Sequence, residues 1–129
     1  MTERNIGVGL RVLIVDDALF MRGMLKDLFI KGGHEVVGEA ADGREAVEQY
    51  RRLRPDLVTM DIVMPLVSGI EALTEIRRED PEACVVMCSA MGQEALILEA
   101  VRAGARDFIV KPFSEEKVLE TARRVAKRV

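Results

Sequence analysis

Apolar residues fall along this chain in two alternating rhythms. Short apolar runs rich in Val and Ile occur at 11–15, 35–40, 56–60, 84–88 and 107–110. Stretches with helical spacing lie between them. Leu25, Leu28 and Phe29 mark the first, Val47, Tyr50 and Leu53 the second, and Ile70, Leu73 and Ile76 the third. The fourth reads "QEALILEAVRAG", and Val118, Ala122, Val125 and Val129 give the last a clean stripe. Boundary residues agree with this division. Gly32-Gly33 ends the first helix, Asp42 with Glu45 forms a capping pattern for the second, Pro55 closes the loop after it, and Gly104 suits a helix C-terminus.

Strict alternation of strand and helix with short loops predicts an α/β fold, a single doubly wound (βα)5 domain. Parallel strands need crossover helices, and those helices cover both faces of the sheet. Continuous apolar runs, rather than polar alternation, are what burial on two faces requires. Residues 1–9 have scattered Gly and no period, so they read as a loose N-terminal tail before a domain over 10–129.

Composition removes several function classes. With 129 residues and an apolar fraction of 49%, the chain has enough for one core. The net charge of −3, from 22 acids against 19 Lys and Arg, gives no case for nucleic acid or an anionic surface. Arg51, Arg52 and Arg54 read as a solvated helix end. No apolar run approaches the ~18 residues of a membrane span, and no signal-peptide core precedes the first strand. A cytoplasmic protein is the expectation. On one strand, Cys84 and Cys88 would stand ~13 Å apart, beyond the ~7 Å a disulfide tolerates, so two buried thiols are expected. His34, the sole histidine, lies at a loop–strand junction with no cluster of partner residues around it, and reads as structural rather than as a ligand or phosphorylation site. Met21, Met24, Met60, Met64, Met87 and Met91 read as core filler.

Polar residues at the strand ends change the picture. Asp16 and Asp17 follow the first strand directly, and adjacent like charges at the mouth of a buried strand repel and resist desolvation. Asp61 ends the third run in "VTMDIVMP", Ser89 follows the fourth in "VVMCSA", and Lys111 follows the fifth in "DFIVKPF". In an open α/β sheet the ligand site lies beyond the carboxyl ends of the strands, where strand order reverses. If the first and third strands are neighbours, three carboxylates converge there. They call for a counter-charge, and Mg²⁺ suits oxygen ligands while keeping waters for a phosphoryl oxygen. Lys111 supplies a point charge and Ser89 a hydroxyl donor. Together these groups suit phosphoryl transfer to the Asp61 carboxylate.

The motifs "VDD" (15–17), "MDIVMP" (60–65), "SA" (89–90) and "KPF" (111–113) resemble the receiver domain of bacterial two-component response regulators over about residues 10–129. The resemblance implies the flavodoxin-like strand order 2-1-3-4-5, which is already known for this family. It implies Asp61 as phosphoacceptor from a histidine kinase. Asp17, Asp61 and the Val63 backbone carbonyl would bind Mg²⁺, with Asp16 acting partly through water. Ser89 and Lys111 would contact the phosphoryl oxygens, and Lys111-Pro112 would be a cis peptide. Ser89 and Phe108 match the switch positions, and helix four, strand five and helix five the output face. There Ile97 and Phe108 are the expected partner contacts. "MPLVSG" (64–69) departs from the family, which more often has an acidic or polar residue after Pro65. The implied protein is a monomeric, phosphorylation-controlled binding module rather than an enzyme, promoting its own phosphotransfer and slow autodephosphorylation. A chemotaxis signal to a flagellar motor switch protein is the leading expectation.

One alternative is a receiver cut from a larger regulator, such as a transcription factor or methylesterase. Another, from a different class, is an aspartyl-phosphate phosphatase. Such phosphatases carry D-x-D with a general acid two residues after the nucleophile, whereas Asp61 is followed by Ile62 and Val63. A flavin-binding reading lacks both a phosphate-cradling loop after the first strand and stacking aromatics.

Overall fold

A computed structural model of the chain describes residues 9–126. Apart from Gly9, the expected tail lies outside the described residues, as does Val129. Ten elements alternate: β1 Arg11–Val15, α1 Leu19–Lys31, β2 Glu35–Ala40, α2 Gly43–Leu53, β3 Leu57–Asp61, α3 Gly69–Glu79, β4 Val85–Ser89, α4 Glu94–Arg102, β5 Asp107–Val110 and α5 Glu115–Ala126. The strands form one parallel sheet in the order β2-β1-β3-β4-β5. The third and fourth runs begin and end one residue later than their hydrophobicity suggests, so Asp61 and Ser89 are themselves strand residues. Two-sided burial holds for β1, β3 and β4 but not for the edges. β2 is largely half-buried and β5 exposes Phe108 and Val110.

Each face of the sheet has its own core. Leu13, Val15, Val58, Met60, Val85 and Met87 pack against α2, α3 and Ala100 of α4. Val12, Ile14, Leu57, Val86 and Ile109 pack against Leu25 and Phe29 of α1 and Val118, Ala122 and Val125 of α5. Consecutive strand residues enter opposite cores, as the pleat requires. Cys84 and Cys88 are both buried as thiols. Burial pushes Cys88 up to about 12, which leaves it unreactive at neutral pH. Among the expected core methionines, Met60, Met64 and Met87 are buried. Met24 and Met91 are exposed, Met24 because the buried side of α1 is taken by Leu25, Leu28 and Phe29 and Met91 because it lies in the loop after β4.

The caps follow the residues that predict them. The Asp42 carboxylate accepts the Glu45 backbone N–H at 2.8 Å, and Glu45 reaches back to the Ala41 N–H. A reciprocal box between Ser68 and Glu71 starts α3. Arg51 bridges to Glu79 and Arg54 to Asp80, so the basic end of α2 ties it to α3.

His34 is a buried structural residue. Its Nδ1 accepts the Leu10 backbone N–H at 3.2 Å and its ring meets Phe29 edge-on. Desolvation, then the charge of Arg123, hold it below its ordinary pKa. A histidine with a depressed folded-state pKa takes up its proton more readily when unfolded. Its contribution to stability is therefore present above about pH 6.5 and lost as pH falls. Wild type should lose more melting temperature between pH 7.5 and 5.5 than His34→Asn does. Equal losses would place the acid sensitivity elsewhere.

Candidate functional site

Four strand ends build one acidic pocket. β1 and β3 pair directly, Val15 opposite Met60, which brings the residues after β1 beside the end of β3. Carboxylate oxygens of Asp16, Asp17 and Asp61 all lie within 4.8 Å of one another. The Lys111 ammonium donates to Asp16 Oδ2 at 3.1 Å and to Asp61 Oδ2 at 3.3 Å. The Lys111 backbone N–H donates to the Ser89 carbonyl at 2.7 Å, locking the start of the β5–α5 loop to the end of β4. Lys111-Pro112 is cis.

Electrostatics divide the roles. Burial raises the Asp61 carboxyl above its ordinary pKa, Lys111 opposes that, and the charge of Asp16 adds to it. Burial alone would lower Lys111, but its bonds to the two carboxylates hold it above its usual value. Asp16 is buried and receives the Ala18 N–H on Oδ1, while Asp17 is exposed at the rim. The buried Ser89 Oγ has no hydrogen-bond partner. The Thr59 and Thr121 hydroxyls share that state, but of the three residues Ser89 alone ends its strand at the carboxyl edge of the sheet, where a hydroxyl can donate to an incoming acceptor.

The residues present fit a hard divalent cation. Three carboxylates come together, and among the described residues Lys111 is the ammonium that pairs with them; carboxylates are the donors Mg²⁺ prefers. Val63, exposed just after β3, donates its backbone N–H to the Asp61 carboxylate. Asp17→Ala relieves repulsion in the metal-free pocket while removing a ligand. It should melt no lower than wild type in chelator and bind Mg²⁺ at least about tenfold more weakly. A clear destabilisation in chelator would contradict a repulsive pocket.

The loop after Asp61 depends on close backbone approach. A Cβ on Gly69 would stand 2.1 Å from the Asp61 carbonyl oxygen, and the Gly69 N–H donates to Ile62 O at 2.8 Å. Only glycine closes the loop this tightly onto the strand end. The "MPLVSG" departure resolves into two roles. Val67 packs on the core and accepts the Gly43 N–H through its carbonyl, whereas Leu66 is exposed with φ 66°.

Sequence comparison decides which family this pocket belongs to. The model of the "Response regulator receiver domain" family matches residues 12–123. This chain belongs to that family. Its receiver fold is 59% identical over 120 residues to the chemotaxis protein CheY of Thermotoga maritima, covering 93% of this chain and all of the relative. It is 58% identical over 110 residues to CheY of Bacillus subtilis, covering 85% and 92%. Among solved structures, the CheX–CheY–BeF₃–Mg²⁺ complex from Borrelia burgdorferi superposes with a TM-score of 0.87 at 40% identity, covering 98% of this chain and 95% of that one. The chain is thus a receiver closely matching CheY proteins, which are signalling proteins rather than conventional enzymes.

On the expected output face the apolar residues of α4 differ in exposure. Ile97 is half-buried and packs on the core, because α4 turns that side toward the sheet. Leu98 and Val101 are the exposed apolar residues of α4. Phe108 is exposed on β5, opposite Met87 of β4 and on the same side of the sheet as Ser89. Among the described residues no helix is long and apolar enough to cross a membrane.

Proposed function

We propose that this receiver is a cytoplasmic chemotaxis signal of the CheY type, its domain spanning residues 10–129. In this reading Asp61 takes a phosphoryl group from a CheA-like histidine kinase, and a flagellar motor switch protein reads the result. The observation that carries it is the convergence of Asp16, Asp17, Asp61 and Lys111 on one pocket with an unpartnered Ser89 hydroxyl beside it. The identity to CheY relatives over nearly the whole chain favours it over the receiver of a larger regulator.

The chemistry follows from the side chains. An Asp61 oxygen attacks phosphorus in line, the P–N bond to the kinase imidazole breaks, and the imidazole leaves with the electron pair. Asp17, Asp61, Asp16 through water, and the Val63 carbonyl would hold Mg²⁺, which when bound supplies positive charge to the acid cluster and to the phosphoryl oxygens. Lys111 moves its bond from the Asp61 carboxylate to a phosphoryl oxygen, and the Ser89 hydroxyl donates to another. Water attack on the acyl phosphate reverses the modification slowly, since no residue two positions beyond Asp61 is an acid.

Switching follows from Ser89. Drawing its hydroxyl toward the phosphoryl group frees space on the side of the sheet where Phe108 stands, and the exposed ring turns inward. A ligand shifts such an equilibrium only by its differential affinity for the two arrangements, here on the order of 1–3 kcal/mol. Beryllofluoride with Mg²⁺, a phosphoryl mimic, should change amide chemical shifts at Ser89, Phe108, Leu98 and Val101 as well as around Asp61. Changes confined to residues 16–17, 61 and 111 would make the protein a phosphoryl sink instead. Turnover of p-nitrophenyl phosphate should be absent; sustained turnover would favour a phosphatase.

A further inference from the structure

Arg22, on the second turn of α1, makes two bonds that the pocket described above does not account for. Its Nη1 donates to the backbone carbonyl oxygen of Asp16 at 2.7 Å, and its Nε donates to Glu39 Oε1 on β2 at 3.0 Å. Its side chain is only 15% exposed, unusual for an arginine that touches no ligand. Lys26, one turn further on, reaches the other Glu39 oxygen at 3.8 Å. Glu39 is thus gripped from two turns of α1 and in turn fixes the plane of the Arg22 guanidinium.

We infer that Arg22, held by Glu39, is a positioning residue that sets the presentation of Asp17 to the metal. The peptide between Asp16 and Asp17 is planar, so the direction of the Asp16 carbonyl dictates that of the Asp17 N–H and restricts where the Asp17 side chain points. Asp16 is otherwise clamped at every polar atom. Its N–H donates to Ala40 O at 3.0 Å, Oδ1 accepts Ala18 N–H at 2.9 Å, and Oδ2 accepts Lys111 Nζ at 3.1 Å. Arg22 closes the last one, the carbonyl. Asp17 is exposed at the rim, and it depends on the backbone behind it for its aim.

A guanidinium suits this task and an ammonium does not. Two N–H groups in a rigid fork satisfy a carbonyl on one side and a carboxylate on the other. Lysine reaches one of them at a time. The guanidinium also brings a positive charge to the Asp16 backbone, so charge and geometry must be separated by experiment. The inference rests on the reading of this pocket as a Mg²⁺ site serving Asp61.

The test measures Mg²⁺ affinity by amide chemical-shift titration, without any phosphodonor, for wild type, Arg22→Met, Arg22→Lys and Glu39→Ala. Melting in chelator and the spectra of residues remote from the pocket report whether each variant is folded. Arg22→Met should weaken Mg²⁺ about tenfold or more, the effect of removing an outer partner of a metal ligand. Arg22→Lys should recover only part of that, and Glu39→Ala should show a smaller loss in the same direction. With acetyl phosphate, the Mg²⁺ concentration giving half-maximal labelling should rise in parallel while final stoichiometry on Asp61 is unchanged. Arg22→Met binding Mg²⁺ within twofold of wild type would overturn the inference. Full recovery in Arg22→Lys would also overturn it, by assigning the effect to charge alone. Should Arg22→Met fail to fold, Arg22→Lys and Glu39→Ala decide, and wild-type affinity in both overturns it. If wild type itself binds no Mg²⁺ or takes no label on Asp61, the failure belongs to the functional reading, because the variants are judged only against a competent parent.

Discussion

Asp61→Asn should take no phosphoryl group from acetyl phosphate in the presence of Mg²⁺, while wild type gains one per chain by intact mass. The amide has the shape of the carboxylate but is a poor nucleophile, and no other carboxylate in the pocket shares its position. Asp16 is fixed at both oxygens by Ala18 and Lys111, and Asp17 stands at the exposed rim. The substitution should also leave the fold at least as stable at neutral pH. Burial raises the Asp61 pKa despite Lys111, so the ionised form is disfavoured in the folded state. A carboxyl with a raised folded-state pKa contributes most below its unfolded value near pH 4, and that contribution is lost as pH rises through the folded-state pKa. The amide escapes this cost. Asp61→Asn should therefore melt as high as or higher than wild type at pH 7 in chelator, and the gap should close as the pH approaches 4. Full labelling of the variant at another residue would overturn the acceptor assignment.

How much of this was legible in the sequence depended on the range of the interaction. Strand and helix order came through because the hydrophobic period is local, and caps such as Asp42–Glu45 span only three residues. The strand-end polar groups were legible because topology places carboxyl ends together whatever lies between them. Edge burial was not. The run at 35–40 looks like a core strand, but β2 has a neighbour on one side only and remains half-buried. The outward-facing residue of α4 could not be singled out for a related reason. Four apolar residues in a row on α4 leave the helix's rotation open, and packing against the sheet settled it in favour of exposing Leu98. Arg22 gave no signal at all. Its partners are a backbone carbonyl six residues back and a carboxylate on a strand at the sheet edge, and neither spacing belongs to a pattern that sequence alone displays. Gly69 was likewise missed, since its reason is a backbone approach across the β3–α3 loop.

The largest change in stability is expected from Lys111→Met. Met keeps most of the apolar stem and removes the ammonium that bridges Asp16 and Asp61. Asp16 is almost wholly buried and Asp61 nearly so, so solvent screens the lost pairs poorly. Breaking a buried pair from one side typically costs about 3–5 kcal/mol, because an uncompensated charge stays behind. The remaining hydrogen bond from Ala18 to Asp16 and the partial exposure of Lys111 place this case at the lower end. In chelator at pH 7 the variant should melt about 10 °C below wild type. Acid should narrow the difference, since protonating Asp61 removes one of the two stranded charges. Mg²⁺ should narrow it further and raise the variant's melting temperature more than the wild type's. In wild type the cation must displace Lys111 from Asp61, whereas in Lys111→Met it meets unpaired carboxylates, and binding to the folded state alone converts directly into stability. Phosphorylation should nonetheless remain slow at saturating Mg²⁺, because the donor to the phosphoryl oxygen is gone. Equal melting of the two proteins in chelator would mean that the pocket's carboxylates are neutralised by something other than Lys111.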